Sequence, residues 1–148
     1  MDTKKYRTRI NLTVKPIWYE EHIPVVDIIV ANTVLYSGTL NETTTFNFDQ
    51  ELTSQKHEIT VRFLNKDDTD TVMDNDVLLK DKALEVTQLT VNDIDCTTAL
   101  SDSFYVTTTG DLYAGLNYIS WNGNWTLMFD VPVFTWIHEK KNLGWIYK

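Results

Sequence analysis

Cysteine is nearly absent. Cys96 is the single one in 148 residues, so no disulfide can form within the chain. It reads as a small packing residue, because a cysteine nucleophile needs a partner base and no local pattern supplies one. Basic residues are also scarce. Thirteen Lys and Arg face 21 Asp and Glu, for a net charge of -8. Phosphate backbones and anionic lipids need clustered cations, so this balance argues against nucleic acid and membrane as partners. No apolar run approaches the roughly 18 residues of a membrane span. The opening MDTKKYRTRI carries basic residues without an apolar stretch behind them, so no secretion signal is read there. The expectation is a chain made in a cytoplasm and not secreted. The motifs of catalysis are missing too: no G-x-S-x-G, no phosphate loop, no dinucleotide fingerprint. His22, His57 and His138 stand apart, without the spacing of a metal pair. Glu20-Glu21-His22 does not hold two carboxylates at a set separation, as glycoside hydrolysis requires. The chain is expected not to be an enzyme.

What is present is alternation. Hydrophobic residues make up 43% of the chain, enough for a packed core. In RINLTV, Ile10, Leu12 and Val14 share one face. Phe46 and Phe48 do so in TTTFNFDQEL, and Ile59, Val61 and Phe63 in HEITVRFLN. This period of two marks half-buried antiparallel strands. Ala31-Asn32-Thr33 reads as a turn between two of them. In ALEVTQLTVNDI, Leu84 and Val86 fall on one parity, Leu89 and Val91 on the other. A β-bulge near Thr87–Gln88 would turn all four inward. Asn122-Gly123 is the strongest hairpin signal. It would place Trp125 on a core face with Leu127, Phe129 and Tyr118. Many short strands with turns between them predict an all-β fold, an antiparallel β-sandwich of jelly-roll type, in one domain over 1–148. The tail PVFTWIHEKKNLG, with Pro132 at its head and Gly144 at its end, predicts a short helix or a final strand. Either would carry Trp136 and Trp145 onto the body.

Two features carry binding chemistry. NKDDTDTVMDND, residues 65 to 76, is crowded with aspartates. Asp68, Asp70, Asp74, Asp76 and Asp81 are candidate ligands for calcium, which takes six to eight oxygens. An EF-hand is excluded, since the required Gly is missing in the registers that start at Asp68 and Asp74, and the fifth position, a ligand in that motif, is Val72 in one and Leu78 in the other. The other reading is a loop whose Asp side chains cap turns through backbone hydrogen bonds, with Lys66, Lys80 and Lys82 offsetting part of the charge. The second feature is aromatic. Trp121 falls on a mixed face, where it either stacks on a sugar or a partner protein or packs at an edge.

The run from Val25 to Ile94, above all FLNKDDTDTV followed by DKALEVTQLTVNDI, resembles small β-sandwich virion proteins of tailed phages, marine and cyanobacterial ones in particular. The aromatic-rich end SWNGNWTLMFDVPVFTWIHEKKNLGWIY is similar as well. The core layout is also similar to calcium-dependent xylan-binding modules. Their G-D-x-N-L-x-V run is matched here by KDKALEV, in which Asp81 keeps the Asp, Lys80 replaces the Gly and Ala83 the Asn. The first resemblance implies a non-enzymatic structural protein of the virion, best a capsid decoration protein docked on the particle surface. Its partners would be the major capsid protein or tail proteins and further copies of itself. Trp121, Trp136 and Trp145 would be contact residues. The second implies a calcium-dependent carbohydrate-binding module for host-surface glycans, associated with a tail or fibre. No cofactor is required in the first reading; calcium is the candidate in the second.

Overall fold

The computed structural model describes residues 4–133 and Trp136. In chain order the strands are β1 (Lys5–Ile17), β2 (Val25–Val30), β3 (Thr33–Thr39), β4 (Thr44–Thr53), β5 (Lys56–Phe63), β6 (Val72–Asp74) and β7 (Val77–Lys80). They continue with β8 (Ala83–Val91), β9 (Ile94–Asp95), β10 (Phe104–Thr107), β11 (Leu112–Ala114), β12 (Tyr118–Ile119) and β13 (Gly123–Asp130). Short 3-10 turns occupy Asp68–Asp70 and Thr97–Asp102. One sheet runs β12-β8-β1-β4, with β9 also pairing β8; the other runs β11-β10-β13-β5-β2-β3. Strands β6 and β7 form a separate hairpin. The pairings are antiparallel. The architecture is the expected β-sandwich.

Alternation builds the core. Ile10, Leu12, Val14, Phe46 and Phe48 turn inward from the first sheet, and Ile28, Ile59, Val61, Phe63, Trp125, Leu127 and Phe129 from the second. Each large side chain taken fully out of water contributes about 1.5–3 kcal/mol. Cys96 is buried among them. In β8 all four of Leu84, Val86, Leu89 and Val91 are buried. The parity change is absorbed where expected: Thr13 pairs Gln88 and Val14 pairs Val86, leaving Thr87 unpaired as the extra residue of a bulge.

Three tight turns carry positive φ at two successive residues: Ala31-Asn32, Asn75-Asp76 and Asn92-Asp93. That geometry matches the right-handed twist of the hairpins it joins, and Asn and Asp tolerate it. The Ala31-Asn32 turn agrees with expectation.

Asn122-Gly123 does not close a hairpin. Strand β12 pairs with β8 in one sheet, whereas β13 pairs with β5 and β10 in the other. The dipeptide therefore carries the chain from sheet to sheet. Gly123 is required by proximity: a Cβ there would sit 2.2 Å from the Val106 carbonyl oxygen. Trp125, Leu127 and Phe129 face the core as expected, while Tyr118 belongs to the other sheet.

Val133 and Trp136 are helical. The rest of the expected tail helix, with His138 and Trp145, lies outside the described residues. Trp136 is no surface contact. It is 2% exposed and meets Phe129 edge-on, with ring centroids 6.3 Å apart. An indole that can cover an aromatic core residue gains more by burial than by waiting at the surface.

Candidate functional site

The acidic segment does not gather its aspartates around a point. Asp70 and Asp81 are buried, 2% and 5% exposed, while Asp68, Asp74 and Asp76 are exposed. Asp76 serves the β6–β7 turn, with φ of 67°. Among the described residues no three His, Cys, Asp or Glu side chains converge on a metal-sized space.

The two buried carboxylates meet lysines. The Lys66 ammonium donates to Asp81 Oδ1 and, at 2.6 Å, to the Lys82 carbonyl. Lys82 Nζ lies 2.8 Å from Asp70 Oδ2. Asp81 further accepts from Thr71 Oγ1 at 2.7 Å, Tyr118 Oη at 2.7 Å and its neighbour's Lys82 N–H at 2.9 Å. Asp70 accepts from the Asp67 N–H at 2.7 Å. Its other oxygen is 2.6 Å from His22 Nδ1, and that ring stacks on Tyr19 with centroids 4.4 Å apart. Burial pushes the Asp70 carboxyl up, but Lys82, the Asp67 N–H and His22 outweigh it and bring it down to about 2. Asp81 is held below the usual carboxylate range in the same way: burial opposes, while Lys66, Tyr118 and Thr71 prevail. Burial, followed by the adjacent Asp81 carboxylate, raises the Tyr118 phenol.

This cluster ties down two loops. Through Asp70 it fixes the turn at Asp68–Asp70, and through Tyr118 the segment that leads to Trp121. Asn122 adds a clamp: its side-chain oxygen accepts from the Lys66 N–H at 2.6 Å and its amide donates to the Lys66 carbonyl at 2.9 Å. The side chain thus pairs with Lys66 as a strand would.

Between those two loops and the β10–β11 hairpin lies an open groove of about 550 Å³, lined by Tyr105, Tyr113, Leu116, Trp121, Asp68, Asp111, Ser120, Thr107 and Thr109. Tyr105 and Tyr113 are cross-strand partners. Their rings stack with centroids 6.4 Å apart. Tyr105 is buried and its hydroxyl donates to the Trp121 carbonyl, whereas Tyr113 is 48% exposed. Trp121 is half-buried. The β10–β11 turn is wound tightly. Thr107 Oγ1 accepts the Asp111 N–H at 3.0 Å, and Thr109 Oγ1 donates to Asp111 Oδ2 at 3.1 Å. Gly110, with φ of 93°, allows the turn to close.

Such a groove offers aromatic faces beside carboxylate and hydroxyl oxygens. Apolar C–H faces can stack on Tyr113 and Trp121, while hydroxyl groups donate to Asp68 and Asp111. Of the sequence candidates it brings together Trp121 and Asp68. Tyr105, Tyr113 and Asp111 were not anticipated. The signal was there in YVTTTGDLY, where two tyrosines flank a Thr-Gly-Asp turn at the spacing that makes them partners.

No family model matches the chain, and no curated protein matches it in sequence. Among solved structures, one described as vCBM60 in complex with galactobiose is 15% identical, with 80% of this chain and 96% of the other covered and a TM-score of 0.48. Another is the SeMet form of vCBM60, described with circular permutation between two families of calcium-dependent carbohydrate binding modules. It is 17% identical, with 81% and 89% covered and a TM-score of 0.47. Likeness at this level does not bear on what the chain binds. Calcium, the candidate ligand of the acidic segment, does not fit its two buried carboxylates, Asp70 and Asp81. Each is already paired with a buried ammonium, Asp81 with Lys66 and Asp70 with Lys82, and Asp81 accepts three further hydrogen bonds.

Proposed function

We propose that the chain is a non-catalytic glycan-binding domain whose site is the groove between Tyr113, Trp121, Asp68 and Asp111. The observation behind this reading is the groove itself: two accessible aromatic rings set beside carboxylate and hydroxyl oxygens, between a sheet edge and two loops. Sugars present that pattern, with an apolar ring face and a hydroxyl rim. Asp68 and Asp111 are exposed. A general acid for glycoside cleavage needs a desolvated carboxyl held as an acid near neutral pH, so two water-facing carboxylates suit binding rather than hydrolysis. Calorimetry against a panel of neutral oligosaccharides tests the reading. Wild-type protein is expected to bind at least one, and Trp121→Ala to weaken that binding by at least about tenfold, or ~1.4 kcal/mol. No binding to any glycan overturns it.

A second reading, an accessory virion protein, has one observation behind it. The β6–β7 hairpin holds Met73, Val77, Leu78 and Leu79 roughly half exposed, an apolar surface suited to another protein. In this reading the chain travels with the particle, on head or tail, and the groove is free to hold a host-surface glycan. Mass spectrometry of purified particles decides it, and absence of the chain from the virion overturns it.

A further inference from the structure

We infer that Lys66 and Lys82 are the built-in cations of the acidic segment, doing the cross-linking that a metal ion does in other acidic loops. Four observations carry this. The side chains of Lys66 and Lys82 are 1% and 7% exposed, and those of Asp81 and Asp70 4% and 3%, so the four charges neutralise one another out of water. Lys66 Nζ bridges a carboxylate and a backbone carbonyl, the two oxygen types a calcium ion would take. Asp81 Oδ1 already accepts from Lys66, Thr71 and the Lys82 N–H and its Oδ2 from Tyr118, and Asp70 already meets Lys82, His22 and the Asp67 N–H. Finally, the cluster is the joint between the groove's two loops, through Asp70 to the Asp68 turn and through Asp81 to Tyr118.

A divalent ion entering this cluster would have to displace an ammonium, since two positive charges already balance two negative ones. A buried pair of this kind is weak support for net stability, but removal of one partner leaves the other charged, buried and alone. Lys66 and Lys82 are thus positioning residues: they set where Asp68 and the Leu116–Trp121 wall stand without touching a ligand. The inference concerns the loop's own fold and holds whether or not the groove takes a sugar.

The test is thermal unfolding of the whole chain in chelator and in millimolar calcium, with Lys66→Met alongside. A site on the native state that binds calcium raises Tm by mass action. The wild-type Tm is expected to be the same in both buffers, and Lys66→Met to melt about 10 °C lower. A wild-type Tm that rises with calcium overturns the inference, as does a Lys66→Met variant that melts with the wild type. The calcium arm uses wild-type protein, so it decides the matter even if Lys66→Met cannot be obtained folded.

Discussion

Asp70 shows how one side chain ties the acidic segment to the body. Its carboxyl is brought from an ordinary 3.8 to about 2 by Lys82, the Asp67 N–H and His22 acting against burial. A group whose folded pKa lies below its unfolded value stabilises the native state fully above the unfolded pKa. That contribution is lost as pH falls through the folded one. Asp70 should therefore contribute on the order of 2 kcal/mol at neutral pH, fading between about pH 4 and pH 2. Urea unfolding of wild type and Asp70→Asn across that window checks it. The gap between the two proteins should shrink as acid is added, and a gap independent of pH would contradict the assignment. The sequence showed that Lys66, Lys80 and Lys82 offset charge in this region. It could not show which lysine meets which aspartate, because the partners lie 15 residues apart for Lys66–Asp81 and 12 for Lys82–Asp70. No local period encodes such a distance. Lys80, read in the same breath, instead reaches out to Glu20 and lies over the Tyr19 ring.

Strand β8 was the most legible element. Its hydrophobic residues change parity once, and a sandwich interior must bury both sets, so an extra residue near Thr87 was forced by the pattern alone. The same logic predicts which deletion the strand tolerates. Removing Thr87 joins Val86 to Gln88, which already pair with the adjacent Val14 and Thr13. The ladder becomes regular and every core residue keeps its face. Removing Thr90 instead would turn one side of the strand outward. In chemical unfolding, deletion of Thr87 should cost less than about 2 kcal/mol, and deletion of Thr90 should leave no cooperative transition. Equal damage from both would count against the bulge. The Asn122-Gly123 segment failed as a hairpin signal for a reason equally physical. Glycine there answers a close approach by the Val106 carbonyl, and asparagine uses its amide on Lys66. Both are tertiary demands that borrow the residues of a tight turn.

At the scale of the molecule, the sandwich brings a hairpin at one sheet edge, a buried ion-pair cluster and a half-buried tryptophan to a common groove. Each part is written in a different stretch: Tyr105 to Tyr113, Lys66 to Lys82, and Tyr118 to Trp121. Alternation therefore announces the fold well before anything announces the site. Charge narrows the ligand. The chain carries a net charge of -8, the groove lining includes two carboxylates, and among the described residues no Lys, Arg or His lines it. Like charges at close range are costly in a partly desolvated site, so uncharged glycans should be favoured over sulfated or uronic acid ones. The most direct measurement is a two-dimensional amide and indole NMR titration with a neutral oligosaccharide that binds, repeated with its uronic acid counterpart. The predicted result is perturbation of the Trp121 indole, Tyr113, Thr109–Asp111 and Asp68 by the neutral sugar, with a much weaker response to the acidic one. Perturbations centred on Val77–Leu79 of the β6–β7 hairpin, or none in the groove, would contradict the account.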